Sequence, residues 1–465
     1  MYQEGATMNL FKKYMQQLHK EFAFTRPRSK ELYAQAARYM PGGDTRTATF
    51  FNPFPHFIAS GQGAFIFDED GHKLLDMQNN YTSLIHGHAH QETVNVVREQ
   101  IGKGSAYTSP MAWQIKLSEL LTRRFPGIDL VRFANSGTEA NMHALRAARA
   151  YTGKAKIVKT EGGYHGTTDV FEASVDPNLK QAGALDKIKV LPASLGVSEN
   201  ALKDVLVVPF NNIELTKAVI DRNYQEIAAV IVEPVMASAG QIVAEQAYLK
   251  FLREITEHYK IVLIFDEVVT GRLAMGGAQE HFGVLPDLTT LGKIIGGGIP
   301  IGAFGGKAQV MEIYDPRVRK MYHSGTFNGN AISMAAGYAT MSSFAEKQVA
   351  AINMLGSYFQ TQAQFCLQRA GLSCQIIGVG SIYNTIFGDS PIKSYRDVAL
   401  TPEHLNELLF MKLLMQGVFI APRGMFCLST AMSKEEVDLA VARLEESLVW
   451  MRPVIEEVAP NLLAS

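Results

Sequence analysis

From about residue 115 the chain alternates helical stretches with short runs in which nearly every position is apolar. The runs are 130–134 (LVRFA), 156–159 (KIVK), 205–208 (VLVV), 228–232 (AAVIV) and 261–265 (IVLIF). Uninterrupted Val, Ile and Leu runs separated by helices predict a parallel sheet covered by helices on both faces. Before this region, residues 1–40 read as helical, with Phe11, Tyr14, Met15 and Leu18 at helical spacing. Pro41, Gly42 and Gly43 break that pattern. Short strand-like runs follow between Phe57 and Met77, with Asp68 to Gly71 as the turn between two of them. Beyond residue 330 the chain predicts a small-residue helix (Met334, Ala335, Ala336), strands near 376–387 and 418–421, and a closing helix around 433–450. The pattern implies a large, mostly parallel α/β domain over residues 75–335. A smaller α+β domain is built from both ends, 1–74 and 336–465.

Composition narrows the class. A chain of 465 residues is long enough to divide into domains. Lys and Arg number 44 against 45 Asp and Glu, so no basic footprint suggests nucleic acid or an anionic membrane. No apolar run approaches the roughly 18 residues of a membrane span. The N-terminus, with Tyr2, Glu4, Lys12 and Lys13, lacks the apolar core of a signal peptide. Cys366, Cys374 and Cys427 fit neither a disulfide framework nor a zinc motif, so the expectation is a cytoplasmic protein with buried thiols.

In open α/β sheets ligands bind at the carboxyl ends of the strands, so the polar residues after each run carry the chemistry. After 130–134 comes Asn135-Ser136-Gly137-Thr138-Glu139-Ala140-Asn141 at a helix start. Free amides, hydroxyls and a glycine there make either an anion site or a plain helix cap. Glu233-Pro234 follows 228–232, and Asp266-Glu267-Val268 follows 261–265. An aspartate closing a buried strand needs a partner: a cationic ligand, a structural ion pair or a metal. Lys293 stands between the apolar Thr290-Leu291-Gly292 and the run Gly296-Gly297-Gly298. Poor solvation would lower its pKa and favour imine formation; a surface lysine beside a flexible loop is the plainer alternative. His323-Ser324-Gly325-Thr326-Phe327-Asn328 is a second hydroxyl-and-glycine turn before a helix.

The order of these segments resembles a known family. NSGTEANMHALRAARAYTG, GGYHG, VEP, FDEV, LGKIIGGG and HSGTFNGN are similar to the class III aminotransferases of pyridoxal 5'-phosphate (PLP) fold type I. PGG…R, DEDGH…LD and GHAH extend the resemblance to the glutamate-1-semialdehyde aminomutase branch. The resemblance implies PLP as cofactor, with Lys293 as the Schiff-base lysine and proton shuttle and Asp266 as partner of the pyridine nitrogen. It implies Ser136, Gly137 and Thr138 as the phosphate cradle, with Glu233 and His165 among the cofactor-binding residues. Tyr164 and Val268 then lie on the two faces of the ring. Thr326 would be a phosphate ligand given to the partner subunit, which implies a homodimer with active sites at its interface.

Two arginines bear on substrate, because guanidinium binds carboxylate bidentately. Arg46 follows PGGDT, and Arg423 lies in APRGMFCLS. Both fall where aminotransferases similar to the β-phenylalanine enzymes carry carboxylate-binding arginines; for each alone a surface salt bridge is the alternative. A transaminase handling an amino-acid donor and an α-keto acid such as 2-oxoglutarate or pyruvate must anchor two different carboxylates. The expectation is therefore a β-amino-acid:α-keto-acid aminotransferase working by a ping-pong mechanism. The alternatives are a glutamate-1-semialdehyde-type aminomutase, or an ω-amine, D-amino-acid or carrier-bound β-aminotransferase. Phe50, Phe51, Phe54 and Phe57 line a side-chain pocket or pack the N-terminal segment. A metal site on His86, His88 and His90, whose spacing puts three imidazoles on one strand face, is the strongest rival from another class. A dinucleotide site is weaker, since Gly296–Gly298 does not follow a first strand as G-x-G-x-x-G.

Overall fold

A computed structural model describes residues 8–463. Its centre is a seven-stranded sheet in the order Leu130–Ala134, Gly302–Gly306, Leu288–Gly292, Val262–Asp266, Ile227–Val232, Lys156–Thr160, Val205–Val208. The five apolar runs are all strands of this sheet, within a residue of their expected limits. Gly302–Gly306 runs antiparallel to both its neighbours, and the other pairings are parallel. Sequence pattern did not expose this strand, because GAFGG reads as a loop. A Cβ at Gly302 would meet the backbone of Ser136, and one at Gly306 that of Asp287. The absence of side chains is what lets the helix start at Ser136 lie against the sheet.

The helix Gly137–Thr152 begins with Ser136 as its cap, accepting from the Glu139 amide at 3.1 Å. It buries Ala140, Ala144, Ala147 and Ala148 on the sheet and ends at Gly153 in the left-handed conformation. The alanines bring the helix axis close to the strand ends, which places its N-terminus beside Asp266.

The predicted helical stretch 1–40 is two helices, Asn9–Thr25 and Pro27–Ala36, divided where Pro27 starts the second. Residues 1–7 of that expectation lie outside the described residues. The small-residue helix spans Ala331–Ser343 and the closing helix Lys434–Val458. Lys73–Asp76 pairs in parallel with Val418–Phe419, so segments near both ends of the chain share one sheet with Ile58–Gln62 and Phe65–Asp68. Gln375–Val379, Ile382–Ile386 and Met425–Cys427 form a third sheet. One hydrophobic cluster runs from Leu18 and Leu74 through Leu409 and Leu448 to Leu117, Leu291 and Ile295. No described helix is long and apolar enough to cross a membrane.

Candidate active site

The carboxyl ends of the strands open onto a cavity of about 890 Å³, within the size range of small-molecule sites. Gly137, Thr138, Tyr164, His165, Glu233, Asp266, Val268, Lys293, Arg46 and Arg423 all line it. Residues from Arg46 to Arg423 are thus gathered on one cavity, most of them because strand ends share one edge.

Asp266 is buried, and three of the four acceptor positions of its carboxylate are used within the fold. Its Oδ2 accepts from Asn141 Nδ2 at 2.7 Å and lies 2.8 Å from His165 Nδ1, while Oδ1 accepts from the Val268 amide at 3.1 Å. Asn141 is fully engaged: it also donates to the His165 carbonyl at 3.0 Å and accepts from Thr290 Oγ1 at 2.6 Å. Burial holds the His165 imidazole below its ordinary pKa, opposed by Asp266, and its Nε2 has no partner.

Lys293 follows the strand Leu288–Gly292 directly and has a φ of 48°. A left-handed lysine is uncommon and costs energy of order 1 kcal/mol, a strain that concentrates at functional sites. Burial lowers its pKa, against the pull of Asp266 and Glu233. Glu233 is held by the Tyr164 amide at 2.8 Å and the Ala237 amide at 3.2 Å. Burial, then the Asp266 charge, push its carboxyl up to about 8.

Several of the expected residues behave differently. Ser136 does not line the cavity; its oxygen is the helix cap. Thr326 is exposed and lies away from the cavity of its own chain. Phe51 and Phe54 belong to the core around Phe22, and none of the four phenylalanines lines this cavity, because their segment packs as an aromatic cluster. The HGHAH segment is no strand: His86 meets Thr430 and the Thr340 carbonyl, His88 meets Asp76, and His90 meets Thr93. His86 and His90 stack with ring centroids 4.4 Å apart, while His88 turns away to Asp76, so the three do not share one face.

Sequence reasoning missed Asn141, Thr290 and Lys159. Asn141 was detectable as a polar residue on the alanine face of its helix. Lys159, fully buried near the end of an apolar strand, donates to the carbonyls of Gly163 (2.8 Å) and Ala173, and burial lowers its pKa to about 7. It pins the loop that carries Tyr164 and His165.

A cavity with a lysine of depressed basicity, a buried carboxylate and a helix N-terminus is a familiar combination of parts. The family pattern described as "Aminotransferase class-III" matches residues 48–448. The chain belongs to the class-III aminotransferases. It is 38% identical to a glutamate-1-semialdehyde 2,1-aminomutase of Methanococcus maripaludis over 427 residues, 90% of this chain and 98% of the relative. Among solved structures it resembles an omega-transaminase from Sphaerobacter thermophilus, with 40% identity, coverage of 90% and 97%, and a TM-score of 0.87. It also resembles a beta-phenylalanine aminotransferase from Variovorax paradoxus, with 36% identity, coverage of 95% and 98%, and a TM-score of 0.87. The chain is thus an enzyme of PLP fold type I, and its cofactor is pyridoxal 5'-phosphate.

The class-III aminotransferase cavity found here fits that cofactor. The first-turn amides of Gly137 and Thr138 have no intrahelical acceptor and suit a phosphate. A Cβ at Gly137 would approach Val268 Cγ2 to 3.1 Å, so glycine keeps this floor open. The buried Asp266 carboxylate suits a protonated ring nitrogen.

Proposed function

We propose that the protein is a PLP-dependent aminotransferase that moves an amino group from a β-amino acid to an α-keto acid. What carries the reading is the joint presence, on one cavity, of Lys293, Asp266 and two guanidinium groups, Arg46 and Arg423. Bound PLP supplies an aldehyde that condenses with amines and a ring that takes up the electrons of a broken Cα–H bond. Lys293 would hold the cofactor through its side-chain amine, and that amine is the group placed to carry the proton of the substrate carbon. Asp266 keeps the ring nitrogen protonated, and Asn141 and His165 hold Asp266. Gly137 and Thr138 hold the phosphate, joined by Thr326 of a second copy in a homodimer; Ser136 acts by capping that helix. Tyr164 and Val268, which line the cavity, would lie against the ring, and Glu233 fixes the Tyr164 amide. The same reading takes residues 75–335 as the cofactor-holding domain and the terminal segments as the smaller domain that carries both arginines.

Arg46 and Arg423 divide the carboxylates between them. Arg423 donates to the Ser238 carbonyl at 2.9 Å and has no carboxylate partner among the described residues, so its charge is free for substrate. A second reading, a glutamate-1-semialdehyde-type aminomutase, is favoured by the curated relatives, which carry that name at 38% identity. It needs one carboxylate anchor, whereas the cavity offers two.

A donor screen with pyruvate and 2-oxoglutarate separates the readings. Aromatic and aliphatic β-amino acids in both enantiomers, simple amines and glutamate-1-semialdehyde are compared. Turnover of β-amino acids in preference to amines supports the first reading. Conversion of glutamate-1-semialdehyde without an acceptor, and of nothing else, establishes the second.

A further inference from the structure

The loop that carries Arg46 is fixed by a turn from another part of the chain, and that turn has an unusual backbone. Asn79, Asn80, Tyr81 and Thr82 have φ of 50°, 47°, 52° and 73°. Four consecutive non-glycine residues are left-handed, a conformation that only asparagine among them visits readily. Such a turn persists only where its surroundings over-determine it.

They do so here from beneath. Asp76 Oδ1 accepts from the amides of Gln78 and Asn79, both at 2.9 Å. Asn79 Nδ2 donates to the Asp76 carbonyl at 3.2 Å and the Cys427 carbonyl at 2.8 Å. Arg272, fully buried and without a carboxylate partner among the described residues, donates to the Thr82 carbonyl at 3.4 Å, to Ser381 Oγ at 2.9 Å and to the Leu428 carbonyl. The turn is thereby bolted to the Met425–Cys427 strand and its continuation.

Its upper side faces the Arg46 loop. Asn80 Oδ1 accepts from Arg46 Nη1 at 2.9 Å, and Asn80 Nδ2 donates to Ser83 Oγ at 3.0 Å, which fixes the orientation of the amide. Tyr81 donates its hydroxyl to the Ala48 carbonyl, two residues beyond Arg46. A right-handed turn would send both side chains elsewhere. Asn80, Tyr81, Thr82 and Ser83 also line the Lys293 cavity.

The geometry points to Asn80 as the positioning residue that sets where a substrate carboxylate binds, by holding the Arg46 guanidinium in place from a left-handed turn. Asn80 is neutral, so it orients the guanidinium without neutralising it and leaves the charge for substrate. This inference rests on Arg46 being a carboxylate anchor.

The test is the donor half-reaction of the holoenzyme without acceptor, followed by loss of the cofactor's visible absorption. Its concentration dependence is measured for 3-amino-3-phenylpropanoate and for 1-phenylethylamine, which lacks the carboxylate. In Asn80→Asp the new carboxylate pairs with Arg46, and the half-saturation ratio of acid to amine should rise about fivefold to tenfold. Asn80→Gly relaxes the left-handed backbone, so its thermal midpoint should not fall, yet the ratio should rise as well. Equal slowing of both donors with a lowered midpoint would mark a merely structural role and overturn the inference. If Arg46→Ala raises the ratio and both Asn80 variants leave it unchanged, the inference fails while the anchor reading stands. If Arg46→Ala leaves the ratio unchanged, the anchor reading fails and this inference with it.

Discussion

A carboxylate taken out of water needs protons or positive charge around it, and Asp266 has only neutral donors within its own fold: Asn141, the Val268 amide and an imidazole that burial keeps neutral. These three fix its orientation, and none of them carries a charge to balance its own. In the proposed reading the cofactor's ring nitrogen would supply that compensation. Asp266→Asn keeps the size of the side chain and removes the charge. Its turnover should fall about 100-fold or more, the scale of losing one preorganised electrostatic partner. A loss within twofold, measured as kcat with PLP bound, would contradict the role. Lys293 illustrates how little one residue type says alone: in the sequence it is a lysine beside glycines. Its left-handed φ and depressed basicity follow from the strand before it and the burial around it, which no local pattern displays.

At the scale of elements, most of the site was legible because strand ends share an edge. Asp266, Glu233, Thr138 and Lys293 were each picked as the polar residue after an apolar run, and all four line one cavity. What pattern could not give was anything decided by close approach. Gly302–Gly306 is a strand because backbones crowd it, and crowding leaves no periodicity. In sequence Ser136 reads equally as a phosphate ligand or a cap, and its side chain serves as the cap. Ser136→Ala should therefore cost about 1 kcal/mol of stability in urea unfolding of the apoprotein. Gly137→Ala acts differently, by filling the floor beside Val268. PLP binding in that variant should weaken about tenfold, read as the apparent Kd on reconstitution, where each factor of ten is about 1.4 kcal/mol. The HGHAH segment is not a strand because Gly87 and Ala89 take positive φ, which stacks His86 on His90 at 4.4 Å and leaves His88 turned to Asp76.

For the whole molecule, buried neutral histidines set the acid limit of stability. Burial lowers His56 and His86 to about 4 from an ordinary 6.5. Between these values the unfolded chain binds protons that the fold refuses, so stability is present above pH 6.5 and lost as pH falls toward 4. The thermal midpoint of the apoprotein should drop across that window. His56→Phe, whose ring suits the neighbouring Phe51 and Phe419, should make the drop shallower. An unchanged slope would show that His56 titrates alike in both states. Assembly is testable at the same scale. Thr326 lies away from the cavity of its own chain, yet Thr326→Ala should weaken PLP binding if a second copy donates it. An unchanged Kd would remove that residue from the site.

The proposed chemistry requires that the cofactor attach to Lys293. Borohydride reduction of the holoenzyme, followed by proteolysis and mass spectrometry of the peptides, reads that attachment directly. The account predicts a single phosphopyridoxyl adduct, on Lys293, absent from Lys293→Ala along with turnover. An adduct on another lysine of the wild-type chain, the buried Lys159 included, would contradict it.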